Sequence, residues 1–343
     1  MKNTRSRALR HAVAYLAVFA ALTVPAAAAE EVNVYTYREP ALIKPLFDAF
    51  TKSSGVKVNI LFASQGLEQR IAAEGANSPA DLLLTTDISR LLQAGELGIT
   101  QPVKSPVLEA AIPASYRDPE GRWFGVSARG RVVYASKDRV TQDSMTYENL
   151  ADPKWRGKIC SRSGQHIYNN ALIAAVIAHN GEDQAAGWLA GVKANLARKP
   201  SGGDREVARD IAAGQCDIGL GNTYYVALML NREADRKPWA EAIKVIMPTF
   251  DGGGTHVNVS GFVVAKNAPN RANAVRLGEW LVSEEAQGLY AAINYEYPVR
   301  PGVALNPTVA SFGPIAPDTL PLVEIAKHRR TAGILVDKVG FDN

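Results

Sequence analysis

The sequence predicts an α/β protein of two lobes joined by a hinge, with a ligand cleft between them. Three observations carry this expectation. Strand and helix patterns alternate in two separate runs, which is the signature of parallel sheets covered by helices. Two passages rich in Pro or Gly divide the runs. The chain, at 343 residues, is also too long for one ordinary core.

The first run begins with a strand at 32–35. Residues 41–54 then place Leu42, Leu46, Ala49 and Phe50 at helical spacing, with Gly55 as a stop. Residues 56–62 alternate as a strand, and 66–74 form a helix with Leu67 and Ile71 on one face. A buried strand at 81–85 and a helix at 88–94 complete the run. Pro102, Pro106, Pro113 and Pro119 interrupt the rhythm, and β-rich sequence follows at 123–136.

The second run opens with a short strand at 158–160. Helices follow at 168–179, 182–195 and 204–213, the last with Asp204 as a candidate N-cap and Gly214 as a stop. A strand at 217–220, a helix opening on Tyr224 and Tyr225, and a strand at 243–247 complete it. Three consecutive glycines, Gly252 to Gly254, mark the second break. Beyond it lie a strand at 257–265, helices at 272–282 and 284–292, and a Pro/Gly-rich tail with a short helix at 320–328. The expected division is lobe 1 from 30–126 and 251–343, and lobe 2 from 127–250. Two crossings near 126 and 250 put a hinge beside the cleft, the arrangement of a bilobal solute-binding-protein fold.

Residues 1–29 read as a secretory signal peptide. Lys2, Arg5, Arg7 and Arg10 precede an apolar stretch too short for a membrane span, and alanines supply the cleavage site. No cysteine stands at that junction, so no lipid anchor is expected, and the mature protein is expected to be a periplasmic monomer. The signal carries four of the 38 basic residues and no acidic ones, so 34 basic residues remain against 34 acidic. The formal charge of +4 is therefore a property of the signal, and no basic stripe points to nucleic acid. In an exported chain the two cysteines, Cys160 and Cys216, are expected to form a disulfide, with two buried thiols as the alternative.

No GxSxG, HExxH or Walker loop occurs, and no GxGxxG opens a helix after a strand. The Gly252–Gly254 triplet lacks the Lys-Ser/Thr of a phosphate loop and reads as hinge or turn. After the signal the histidines are His166, His179, His256 and His328, without metal-ligand spacing. Tyrosines are more informative. Tyr168 and Tyr224 each follow a short strand and a polar turn at the start of a helix, and Tyr225 adjoins the second. In a parallel α/β sheet those helix starts lie at the carboxyl edge of the strands, where ligands bind. Cys160 and Cys216 each precede one of these tyrosines by eight residues.

Four stretches carry a family resemblance over nearly all of the mature chain. They are Val34-Tyr35-Thr36-Tyr37-Arg38-Glu39-Pro40, Glu74-Gly75-Ala76-Asn77-Ser78-Pro79-Ala80-Asp81, Arg129-Gly130-Arg131-Val132-Val133-Tyr134 and Gly221-Asn222-Thr223-Tyr224-Tyr225. The chain resembles the periplasmic ferric-ion-binding proteins of bacterial ABC importers. The resemblance implies that Tyr168, Tyr224 and Tyr225 coordinate Fe(III), and that Arg129 holds a carbonate or bicarbonate anion beside the metal. Arg38 would face that anion from the other lobe, and an inner-membrane ABC permease would be the partner. Several relatives place a histidine and a fourth tyrosine where Glu39 and Pro40 stand here. Glu39 still offers a carboxylate, whereas Pro40 offers no side-chain ligand.

The chemistry agrees with what the resemblance implies. Fe(III) is a hard cation that favours anionic oxygen, and three phenolates balance its charge. A dianion would add negative charge for two arginines to offset, while Arg131 reads as structural. The rival reading is a receptor for another solute, such as a polyamine, an oxyanion or a small organic molecule. A polyamine needs several acidic groups in the cleft, where tyrosines and arginines are expected instead.

Overall fold

The computed structural model describes residues 30–343; the expected signal peptide lies outside the described residues. The first run forms β1 (Glu31–Thr36), α1 (Pro40–Ser54), β2 (Lys57–Phe62), α2 (Leu67–Glu74), β3 (Leu82–Thr85) and α3 (Ile88–Glu96). Local chemistry accounts for these boundaries. Pro40 opens α1, where no N–H is needed, and Gly55 closes it at φ 75° while donating to the Thr51 carbonyl. Asp87 caps α3 by accepting from the Ser89 N–H at 2.8 Å.

A short α4 (Pro106–Ala111) precedes the long strand β4 (Phe124–Ser136). The second run comprises β5 (Ile159–Cys160), α5 (Ile167–Asn180), α6 (Glu182–Ala194), α7 (Asp204–Ala212), β6 (Ile218–Asn222), α8 (Thr223–Arg232), α9 (Lys237–Glu241) and β7 (Ile243–Ile246). The chain returns through β8 (Val257–Val264), α10 (Arg271–Leu281), α11 (Glu284–Leu289), β9 (Tyr297–Pro298), α12 (Pro307–Ala310), α13 (Leu322–Ala326) and α14 (Arg329–Val339).

The strands follow the order β2-β1-β3-β8-β4-β6-β5, with β7 and β9 also paired to β4. β1 runs parallel to β2 and β3, and β5 runs parallel to β6. β4 joins the two halves. Up to Gly130 it pairs with β8, and from Arg131 onward it pairs with β6. The change of partner thus falls at Gly130–Arg131, a few residues beyond the crossing expected near 126. Buried apolar side chains gather on either side of this change. Val32, Phe50, Leu83 and Phe262 belong to one cluster, Val133, Leu172 and Trp188 to another.

The tail departs from expectation. Residues 251–343 were expected to stay with the first lobe, yet Ile325, Ala332, Leu335, Val336 and Phe341 join the cluster of α5 and α6. The reason is α14, an amphipathic helix that buries Ala332, Leu335 and Val336 and ends at Gly340 with φ 65°. The surrounding Pro and Gly residues concealed its spacing. α4, α9 and α12, six residues or fewer, were also unforeseen, because a helix of one turn shows no periodicity.

Cys160 and Cys216 are bonded, with Cα atoms 5.8 Å apart. The bridge ties the end of β5 to the residues leading into β6. For a loop closed over 56 residues, the chain-entropy contribution is about 4 kcal/mol.

Candidate functional site

The parallel pairing of β5 and β6, with Cys160 beside Gly219, brings their carboxyl ends to one edge of the sheet. α5 and α8 therefore start at the same edge. Tyr168 and Tyr224 are each the second residue of their helix, and Tyr225 follows. Gly221 makes the turn into α8 possible, because a Cβ there would sit 2.0 Å from the Tyr134 ring. The Tyr134 hydroxyl in turn donates to the Asn222 carbonyl at 2.5 Å.

Arg131 braces these helix starts. Its Nη1 donates to Asp204 Oδ2 at 2.7 Å and to Asn222 Oδ1 at 3.1 Å, and its Nη2 donates to Asn169 Oδ1 at 2.6 Å. Asp204 also accepts from the Asn222 N–H at 2.9 Å. α5, α7 and α8 are thus tied to one buried guanidinium, in keeping with the structural reading of Arg131. Asp204 is not the expected N-cap. Gly203 takes that position, its N–H bonded to Glu206, while the Asp204 side chain turns inward. The pull of Arg131, and then of Arg162, holds the Asp204 carboxyl below the usual range against the opposing effect of burial.

This scaffold brings the three tyrosines together. The hydroxyls of Tyr168 and Tyr224 lie 3.3 Å apart, and the rings of Tyr224 and Tyr225 have centroids 4.2 Å apart. Burial, followed by the Tyr168 and Tyr225 phenols, pushes the Tyr224 hydroxyl well above its ordinary value of 10.0. Burial, Tyr168 and Asp204 push Tyr225 upward as well. Arg38 and Arg129 pull Tyr224 the other way. Tyr224 and Tyr225 are therefore protonated near neutral pH. Among the described residues no cluster of three or more His, Cys, Asp or Glu side chains is placed to hold a metal.

The two expected arginines differ. Arg38 is buried, and its Nη2 donates to Ser260 Oγ at 2.5 Å and to Glu296 at 2.8 and 2.9 Å. Glu296 thus offsets its charge. Arg129 is equally buried but meets no carboxylate among the described residues. One of its nitrogens donates to Ser260 Oγ at 3.1 Å, and Nη2 has no partner among the described residues. An unpaired buried guanidinium is costly unless an anion or phenolate completes it. Glu39 lies opposite the tyrosines, exposed, in a cleft of about 70 Å³ shared with Tyr37, Arg38, Tyr168, Tyr224 and Tyr225. Pro40 is the first residue of α1.

Several neighbours were not foreseen. Arg205 lines the same cleft with its guanidinium carbon 4.6 Å from the Tyr225 ring centroid, and Arg162 stands 5.2 Å from that of Tyr168. Both follow the positional rule that found the tyrosines, since Arg205 opens α7 and Arg162 follows β5. His166 caps α5 by accepting the Tyr168 N–H at 3.2 Å. Burial and then Arg162 hold its imidazole neutral, pushed down to about 3. The Tyr37 hydroxyl is engaged by Glu68 and by the Leu67 N–H, leaving it committed to lobe 1.

Two α/β halves meeting at shared strands, with side chains converging from helix starts on a small cleft, define a two-lobed binding protein. The chain belongs to the bacterial extracellular solute-binding proteins, whose family model matches residues 45–314, and among them to the periplasmic ferric-ion-binding family. Iron uptake protein A1 of Synechocystis is 43% identical over 91% of this chain and 88% of its own. A solved Bordetella ferric binding protein is 58% identical, with a TM-score of 0.85 over 92% of this chain and all (100%) of its own. A Trichodesmium protein solved with iron and citrate ligands is 42% identical, with a TM-score of 0.85 over 91% of this chain and 99% of its own.

Proposed function

We propose that this chain is a periplasmic receptor that captures Fe(III) through the phenolates of Tyr168, Tyr224 and Tyr225 and delivers it to an inner-membrane ABC permease. The observation that supports this most is the meeting of the Tyr168 and Tyr224 hydroxyls at 3.3 Å beside the Tyr225 ring, in a cleft where Arg38 and Arg205 also converge. Three phenolates neutralise the ion, and hard anionic oxygen is its preferred ligand. A carbonate or bicarbonate anion is assigned to Arg129, whose charge lacks a carboxylate partner among the described residues, with Arg38 as the weaker contributor because Glu296 already balances it. Glu39 is the carboxylate that lines the cleft and offers a further coordination position. The lining disfavours a polyamine, since one carboxylate faces two guanidinium groups there.

Capture and closure are coupled in this reading. α8 carries two of the ligands and packs Tyr224, Ala227 and Leu228 into the apolar cluster of the first lobe, while Val226 and Met229 face the second. A ligand that fixes Tyr224 therefore favours the arrangement in which both faces of α8 are buried, which is the differential affinity a population shift requires. Ferric ion added to the purified protein is expected to produce a visible phenolate-to-iron charge-transfer band. Absence of that band, or undiminished iron binding by the triple Tyr168→Phe, Tyr224→Phe, Tyr225→Phe variant, would sink the proposal.

A further inference from the structure

Arg205 is the second residue of α7, and its guanidinium lies over the face of Tyr225 with Cζ 4.6 Å from the ring centroid. Its Nε donates to both oxygens of Glu233, at 2.8 and 2.9 Å, and its Nη2 donates to the same carboxylate. Glu233 stands immediately after α8 and also accepts from Arg236 Nη1 at 3.1 Å. The three groups carry one net positive charge. They span the start of α7 and the end of the helix that bears Tyr224 and Tyr225.

We infer that Arg205 is a positioning residue for the Tyr225 phenolate, fixed on the ring face by Glu233 and Arg236, and that it sets how firmly the site retains ferric ion. This rests on the ferric reading above. A brace between α7 and α8 requires only the ion pair with Glu233, and such a brace has no reason to lie over an aromatic face. A phenolate spreads its negative charge into the ring, so a cation held over the face is attracted more strongly than it would be by a neutral phenol. That attraction grows in a partly desolvated cleft. Tyr168 has the same company, with Arg162 and Arg129 at 5.2 and 5.6 Å from its centroid, whereas Tyr224 packs at a tilt against Tyr225. Each outer phenol of the trio therefore has a guanidinium at its ring.

The cation also lowers the energy of the electrons that the phenolate donates to iron. Its removal is expected to move the charge-transfer band to longer wavelength, an effect a purely structural brace would not have. The test compares wild type, Arg205→Gln, Arg205→Lys and Glu233→Gln, each loaded with ferric ion and challenged with excess citrate. Arg205→Gln is expected to shift the band to longer wavelength and to release iron about tenfold faster. Arg205→Lys, which keeps the charge, is expected to recover much of both effects, and Glu233→Gln to fall between wild type and Arg205→Gln. Should Arg205→Gln not fold, Arg205→Lys and Glu233→Gln carry the comparison. An unmoved band with unchanged release would overturn the inference, as would a variant that only lowers the urea midpoint of the iron-free protein. A wild type without any band would instead overturn the ferric reading itself.

Discussion

Tyr168 and Tyr224, separated by 56 positions in the chain, bring their hydroxyls within 3.3 Å of each other. Two phenolates at that distance repel unless a cation lies between them, and for this reason, added to burial, Tyr224 holds its proton well above pH 10.0. To become a ligand, Tyr224 must therefore release a proton throughout the neutral range. Iron affinity is expected to rise with pH, by up to about tenfold per unit for each phenol involved. Replacing Tyr224 with Phe should lower the slope of log affinity against pH by one, measured by chelator competition from pH 6 to 8 against wild type; an unchanged slope would exclude Tyr224 as a phenolate ligand. The same raised value has a second consequence for the iron-free protein. Above pH 10 the unfolded chain loses the phenol proton before the folded chain does, so stability falls as pH rises there.

Acid acts through a different residue. Asp204 is buried between Arg131 and Arg162, and its depressed value means that its contribution is complete above the ordinary carboxylate value of 3.8 and is lost as pH falls below it. Asp204→Asn leaves two guanidinium groups short of their carboxylate and is expected to cost about 3 kcal/mol in urea unfolding at pH 7. The variant should also lose the part of the acid-induced destabilisation that belongs to this site. Because Asp204 accepts from the N–H of Asn222, at the start of α8, iron affinity is expected to fall with it. A stability within 0.5 kcal/mol of wild type would show that Arg131 does not depend on this carboxylate.

The parts of this site that were legible in the sequence are those set by local signals. Tyr168, Tyr224 and Tyr225 stand where a short strand, a turn and a helical pattern succeed one another, and the parallel sheet then places them together. The arginine roles were less legible because they depend on distant partners. Arg38 meets Glu296 across 258 positions, and nothing near residue 38 announces that its charge is offset. Arg129 and Arg131 lie two residues apart and so share one face of β4, where both adjoin Tyr168, yet among the described residues only Arg131 meets a carboxylate. The tail was misplaced for a related reason. Its apolar stripe is evident only once α14 is separated from the Pro- and Gly-rich sequence before it, and the surface it covers belongs to α5 and α6, some 160 residues earlier.

Gly221 offers a sharper test of how the turn serves the tyrosines. Its φ is not in the left-handed region, so conformational freedom is not what the position demands. Space is the constraint, since an added Cβ would lie 2.0 to 2.4 Å from the ring and hydroxyl of buried Tyr134. Gly221→Ala must push Tyr134 aside, and with it the bond from the Tyr134 hydroxyl to the Asn222 carbonyl at the start of α8. A cost of about 2 kcal/mol or more is expected, together with weaker iron binding because Tyr224 and Tyr225 move with the helix. The double variant Gly221→Ala, Tyr134→Phe keeps the clash with the ring and should remain destabilised, whereas Gly221→Ala, Tyr134→Leu removes the ring and should regain part of the iron affinity. Equal affinities in the two double variants would mean that the turn tolerates a side chain at 221 without displacing the site.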